Sequence, residues 1–272
     1  MNNFSFFRFH RGGGNMIRAG QISNYLDGRI NPESGFENDV CIYVLGMYRT
    51  DGPEVQYAYY DVMDCQPIFL NRMLQRTRGD IIAVSLTQHD LFREMFPTRK
   101  VYFIPQHHCN FYREKRPDRP ITTVGCIGDI SSVQYDHNEV ARMLSDIGLK
   151  WKFKTEFMRR RRVVEFYKDI DIQISFRPQK TESMLHKNPL KLSNAGSFGI
   201  PTVSFPEPAY VAEWKGGGCL WGEKMQDIMS QVKRLKDDPV LYNETSARAM
   251  VKAEKYHIDN IAPLYKSLPG CV

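Results

Sequence analysis

The stretch Asn188-Pro-Leu-Lys-Leu-Ser-Asn-Ala-Gly-Ser-Phe-Gly-Ile-Pro-Thr-Val-Ser-Phe205 decides how this chain folds. It reads as a short helix entered through Pro189, stopped at Gly199 and delivered straight into a buried strand. Pro189 suits a helix entrance, where its missing N–H has no bond to make. Gly199 can take the left-handed conformation that ends a helix, and Pro201 keeps the helix from resuming. Thr202-Val-Ser-Phe205 then extends as a β-branched strand. Ala195, Gly196 and Ser197 keep the helix thin, so that something can approach closely. A helix N-terminus beside Lys191 and Ser193 suits an anionic phosphate group. The same segment would also serve as a plain helix-to-strand connection in any doubly wound domain.

Outward from this segment the chain alternates between strand and helix patterns. Strands are expected at 4–9, 39–46, 55–62, 80–85 and 101–104, with helices at 16–26, 67–76 and 87–95. A polar, proline-bearing stretch at 113–120 has linker composition. A second series follows, with strands at 121–127, 151–154, 170–176 and 202–205 and helices at 138–147, 160–167, 225–236 and 238–257. Such alternation argues for parallel sheets in both halves. The expected organisation is an N-terminal domain over 1–115, a C-terminal domain over 116–255 and a segment at 256–272 that packs back on the first domain.

A length of 272 residues accommodates two domains, and 42% hydrophobic residues make the chain globular rather than disordered. No apolar run approaches the roughly 20 residues that cross a bilayer as a helix. The N-terminus reads as a strand, not a signal peptide. Cys41, Cys65, Cys109, Cys126, Cys219 and Cys271 are dispersed without a Cys-x-x-Cys pair, which favours free thiols in a reducing cytoplasm over a disulfide framework or a zinc site. The net charge of +6 is locally concentrated at Arg159–Arg160–Arg161–Arg162, with Lys152 and Lys154 before it. Such a run is commonly a solvated helix face, and it also permits nucleic-acid, phosphorylated or membrane-surface partners.

Several segments, in order, resemble a GT-B glycosyltransferase over most of the chain. Phe9-His10-Arg11-Gly12-Gly13-Gly14-Asn15 looks like the first loop of such an N-terminal domain. Asp80-Ile-Ile-Ala-Val-Ser-Leu-Thr-Gln-His89 and then Val101-Tyr-Phe-Ile-Pro105 are similar to the family's passage into its linker. Thr123-Val-Gly-Cys-Ile-Gly128 resembles the strand and loop opening the C-terminal domain, and 188–205 resembles the donor-sugar helix. The chain departs from the retaining pattern of two glutamates eight residues apart, placing His186 and Asn194 there, and it lacks the usual Arg and Lys pair near Gly128-Asp-Ile-Ser-Ser132.

The resemblance implies an α/β chain of two Rossmann-like domains facing across a cleft. It implies an enzyme that transfers a hexose-type sugar without a metal, with a nucleotide-diphosphate sugar as co-substrate and no other cofactor. Cations around the donor loop, Arg177, Lys180, Lys187 or Lys191, would neutralise the leaving diphosphate. Gly12, Gly13 and Gly14 would let backbone approach the donor, with Gly128, His186, Lys187, Ser193 and Asn194 as further donor contacts. His10 is the leading candidate for the base that activates the acceptor, though it could equally bond its own loop; Asp61 and Asp64 are alternatives. The acceptor is open: a glycan, a lipid-linked or membrane-associated sugar, or a modified nucleic acid such as DNA. Two other readings stay open, a sugar-nucleotide-binding chain that has lost turnover and a doubly wound nucleotide-sugar epimerase. The expected location is cytoplasmic or peripheral to a membrane.

Overall fold

The computed structural model describes residues 3–8, 12–44, 55–63, 79–128, 135–155, 159–178 and 182–271. They form two compact units. One comprises Met1–His107, Thr181–Asn188 and Ile258–Val272; the other comprises His108–Lys180 and Pro189–His257.

In the first unit, strands β1 (Phe4–Phe7), β2 (Arg29–Ile30), β3 (Val40–Val44), β4 (Tyr57–Asp61), β5 (Asp80–Ala83) and β6 (Val101–Phe103) form one sheet in the order β2-β1-β3-β4-β5-β6. Every strand pairing among the described residues is parallel. β1 and β3 are buried along their whole length, as mainly apolar strands covered on both faces should be, with the polar Ser5 bonded to Asp39. Phe7, Tyr43 and Tyr60 stack in a ladder across β1, β3 and β4, at centroid spacings of 4.9 and 5.6 Å.

A helical run, 13–26 (α1), follows β1, α-helical at Gly13–Asn15 and Ile22–Leu26 and π-helical at Met16–Gln21. It therefore begins inside the triple glycine, three residues before the expected start, because the Gly12 carbonyl already accepts the Asn15 amide at 3.1 Å. Helix α2 (Leu86–Met95) starts where Ser85 leaves the strand direction and caps it, its hydroxyl accepting the Gln88 amide at 3.2 Å. The expected helix at 67–76 lies outside the described residues.

In the second unit, β7 (Thr123–Ile127), β8 (Lys150–Lys154), β9 (Ile172–Ser175), β10 (Thr202–Ser204) and β11 (Cys219–Trp221) form a parallel sheet in the order β11-β10-β9-β7-β8. Around these strands run α3 (His137–Ser145), α4 (Arg160–Lys168), α5 (Leu190–Ser197), α6 (Pro208–Trp214), α7 (Met225–Asp237) and α8 (Pro239–Glu254). The first unit is completed by a 3-10 turn at Glu182–His186 and by α9 (Ile258–Lys266). The last turn of α5 ends as its residues dictate: Gly199 sits at φ +73° and the Ile200 amide donates back to Ala195 at 3.0 Å.

The polar stretch at 113–120 packs within the second unit. Arg116 and Arg119 converge on the buried carboxylate of Asp171, which also accepts the Thr122 and Thr123 amides at 2.8 Å. Burial alone would raise the Asp171 pKa. The Thr122 amide, the two guanidinium groups and the Thr123 amide outweigh it and hold the group below its ordinary value. The elements that sequence pattern missed are β2, the 3-10 turn at Glu182–His186, α6, β11 and α9. Three consecutive glycines with positive φ, Gly216–Gly218, separate α6 from β11, and Pro263 lies inside α9.

Candidate donor site

Parallel sheets collect ligands at the carboxyl ends of their strands. In the second unit that edge carries Gly128 after β7, Arg177 after β9 and, after β10, a residue the sequence reading passed over, Glu207. Arg177 donates from Nε to Glu207 Oε1 at 2.8 Å and from Nη2 to Glu207 Oε2, a two-pronged pair, and reaches the Tyr210 hydroxyl at 3.3 Å. Glu207 is 0% exposed and Arg177 14%. The guanidinium is thereby locked in place, but much of its charge is answered by the carboxylate beside it. Pro208 at the start of α6 and the acid just before it are the signals that could have pointed to Glu207 as a helix-entry residue.

Helix α5 opens next to this pair in the topology, since it connects β9 to β10. Pro189 is its N-cap, no acidic residue stands in its first turn, and no side chain caps it. Its first amides and dipole therefore favour an anion. Lys191 is half-buried in the first turn, its carbonyl accepting Gln173 Nε2 at 2.9 Å. Gln173 is buried and also bonds Tyr167 and Thr202, so the start of α5 is fastened to β9 and β10 by one amide side chain.

Other residues singled out from sequence have structural employment. Ser193 is fully buried and donates its hydroxyl to Leu190 O at 3.1 Å, a back-bond within its own helix. Asn194 accepts the Cys109 amide on Oδ1 at 2.8 Å and is itself buried. The Gly128 amide extends the β7–β8 ladder by donating to Lys154 O at 3.0 Å. The thin side of α5 receives a helix: a Cβ on Gly196 would lie 2.8 Å from Ala249 O on α8 and 2.9 Å from the Trp214 ring.

In the first unit, Gly12 is the N-cap of α1, with Gly13 at φ +41° and Gly14 in the opening turn. Asp61 is fully buried. It accepts from Arg18 Nε at 2.7 Å and from the Tyr265 hydroxyl at 3.2 Å, while Arg18 Nη1 donates to Pro105 O. That ion pair ties α1, β4, the chain after β6 and α9 together, and it keeps Asp61 from solvent as a base would not be. His186 is buried against Phe92 at 5.7 Å between centroids, and Lys187 follows it, half-buried. His10, Asp64, Lys180 and residues 129–132 lie outside the described residues.

No family model matches the sequence, and no curated protein matches it. Solved structures do. HepE of Anabaena, in complex with UDP and glucose, aligns with a TM-score of 0.63 at 10% identity over 97% of this chain and 98% of HepE. WaaG, a glycosyltransferase involved in lipopolysaccharide biosynthesis, aligns at 0.59 with 10% identity over 98% of this chain and 100% of WaaG. A TarM mutant of S. aureus in complex with UDP aligns at 0.61 with 13% identity over 84% of this chain and 55% of TarM, so the chain spans about half the length of that protein. Two parallel-stranded α/β units in this arrangement of strands and helices constitute the GT-B glycosyltransferase-like fold.

Proposed function

We propose that this protein is a glycosyltransferase that moves a sugar from a nucleotide diphosphate to an acceptor hydroxyl. The observation that carries the reading lies in the second unit, where Arg177, held by Glu207, follows β9 and Lys191 stands in the uncapped first turn of α5, the helix that joins β9 to β10. The fold supports it, since structures of that fold, HepE among them, hold UDP.

In this reaction the bond between the sugar's anomeric carbon and the diphosphate oxygen breaks, and a bond from that carbon to the acceptor oxygen forms. Negative charge grows on the leaving diphosphate. Fixed cations and helix amides stabilise it most effectively when they are already in place. Lys191 and the entrance of α5 take this role, with Arg177 as a prepositioned second cation and Lys187 and His186 as further donor contacts. Gly12 to Gly14 offer close backbone approach, and His10 takes the acceptor proton. The donor is of the hexose type and no metal is required, so activity survives a chelator.

A panel of nucleotide sugars, screened for thermal stabilisation and then for donor hydrolysis and transfer, tests the reading. A donor present at about 100 times its Kd stabilises the fold by about 2.7 kcal/mol, or roughly 5–10 °C for a protein of this size. Failure of every nucleotide sugar and nucleoside diphosphate to stabilise the protein would refute it. A second reading, binding without turnover, is favoured by the commitment of Asn194 to Cys109. Stabilisation by a donor with neither hydrolysis nor transfer would select that reading.

A further inference from the structure

Charge on this chain is segregated. Eight of the 37 Lys and Arg residues, but only two of the 31 Asp and Glu residues, fall between Lys150 and Lys168, so this one segment holds a formal +6, the same as the whole chain. Everything else is balanced. The segment is β8, the edge strand of the second sheet, followed by α4.

Alternation along β8 puts Lys150, Lys152 and Lys154 on one side of the strand and Trp151 and Phe153 on the other. The two aromatic rings are consumed by stacking on His137, Phe153 at a centroid distance of 3.6 Å. The lysine row shares the side covered by α4, because Lys152 Nζ lies over the Phe166 ring and pairs with Asp169. Lys150, Lys154, Arg159, Arg161 and Arg162 are exposed. Arg161 pairs with Glu165 on its own helix, whereas Lys154, Arg159 and Arg162 meet no carboxylate among the described residues. The arginines also crowd the N-terminus of α4, which has no side-chain cap and no acidic residue in its first turn. Cations at the positive end of a helix dipole repel it, so the arrangement is relieved by negative charge from outside. Beside it, Arg160 lies over the rings of Phe111 and Tyr112, and Tyr112 is 75% exposed.

We propose that this face, β8 with the first turn of α4 and Tyr112, docks on an anionic lipid bilayer. The exposed cations come from two elements and share no partner, which matches a plane of negative charge better than a single anion. A lone exposed tyrosine suits the headgroup layer, where an amphipathic ring settles. Single-stranded nucleic acid calls for several open aromatic platforms, and Trp151 and Phe153 are turned away. This inference does not depend on the transferase reading.

Vesicle sedimentation tests it, using phosphatidylcholine alone and phosphatidylcholine with about 30% phosphatidylglycerol at about 0.1 M salt. The protein should bind only the anionic vesicles and leave them at high salt. Each cation near such a surface is worth about fivefold in partitioning, so Lys154→Gln/Arg159→Gln/Arg162→Gln should bind roughly 100-fold more weakly. A control with the same loss of charge on α7 and α8, Lys233→Gln/Arg234→Gln/Arg248→Gln, should stay within a few-fold of the parent, as should Arg159→Lys/Arg162→Lys. Thermal melts establish folding; should the triple variant not fold, Arg162→Gln alone must show the fivefold loss. Equal binding to both vesicle types, an unaffected triple variant, a control as weak as the triple variant, or binding to a single-stranded oligonucleotide without binding to vesicles would each overturn the proposal.

Discussion

Arg177→Ala separates the charge that holds the second unit together from the charge available to a ligand. Glu207 is 0% exposed, and the parent structure answers its charge with the two-pronged contact from Arg177. Without that partner the carboxylate is buried and uncompensated. Removing one member of a buried pair costs about 3–5 kcal/mol. Arg177 keeps 14% of its side chain in solvent, so some of the pair's strength is already screened. A loss of about 3 kcal/mol follows, at the lower end of that range. Tm should fall by about 6–12 °C. Circular-dichroism melts at pH 7 measure it. Arg177→Met/Glu207→Leu should recover most of the loss, because well-packed apolar residues commonly replace a buried pair at little cost. A single variant that melts within about 1 °C of the parent, or a double variant no more stable than the single one, would refute the reasoning.

Lys191→Ala should behave in the opposite way, changing Tm by little while weakening donor binding and slowing transfer by on the order of 10–1,000-fold; calorimetric titration with the stabilising nucleotide sugar checks the binding arm. His108 is buried, and its pKa is pushed down to about 3 by that burial and by His257, with Glu254 opposing and Arg113 adding to the shift. A base neutral only in the folded state gives stability that is complete above about pH 6.5 and falls by up to about 1.4 kcal/mol per unit below it; urea midpoints between pH 7 and pH 4 should show that slope, and His108→Asn should flatten it. Gly196→Ala should destabilise the second unit by about 1–3 kcal/mol, since the new methyl group meets the Ala249 carbonyl and the Trp214 ring; a chemical-denaturation midpoint equal to the parent's would contradict the close packing of α5 on α8.

Strand and helix identity was legible wherever a local signal coincided with burial. β1, β3 and β9 are short strands buried at every position, rich in apolar residues although Ser5, Gln173 and Ser175 interrupt the run, and Gly199 ends α5 for the reason its sequence suggests. Boundaries shifted where a polar residue acts through a hydrogen bond invisible to periodicity, as Ser85 does at α2. α9 hid behind Pro263, which reads as a breaker because it removes an intrahelical hydrogen bond, yet it lies inside the helix. Site residues were harder still, because pattern supplies a side chain's type but not its partner. Arg177 was legible as a cation at a strand end; Glu207, 30 residues later, was not legible as its counter-charge. Asp61 was visible as a carboxylate, yet its pairing with Arg18 joins residues 43 apart.

Asn194 shows why a departure from the family pattern need not be an erosion of the site. Its Oδ1 accepts the Cys109 amide. The position therefore needs an acceptor at a buried place. An ionised carboxylate would also accept that amide, but at this depth it would be a buried charge. Asparagine supplies the acceptor without charge, fastening α5 to the start of the polar stretch after Cys109. On the proposed transfer reading, with Asn194 Oδ1 engaged by the Cys109 amide, the leaving diphosphate would be met by Lys191, the dipole of α5 and Arg177.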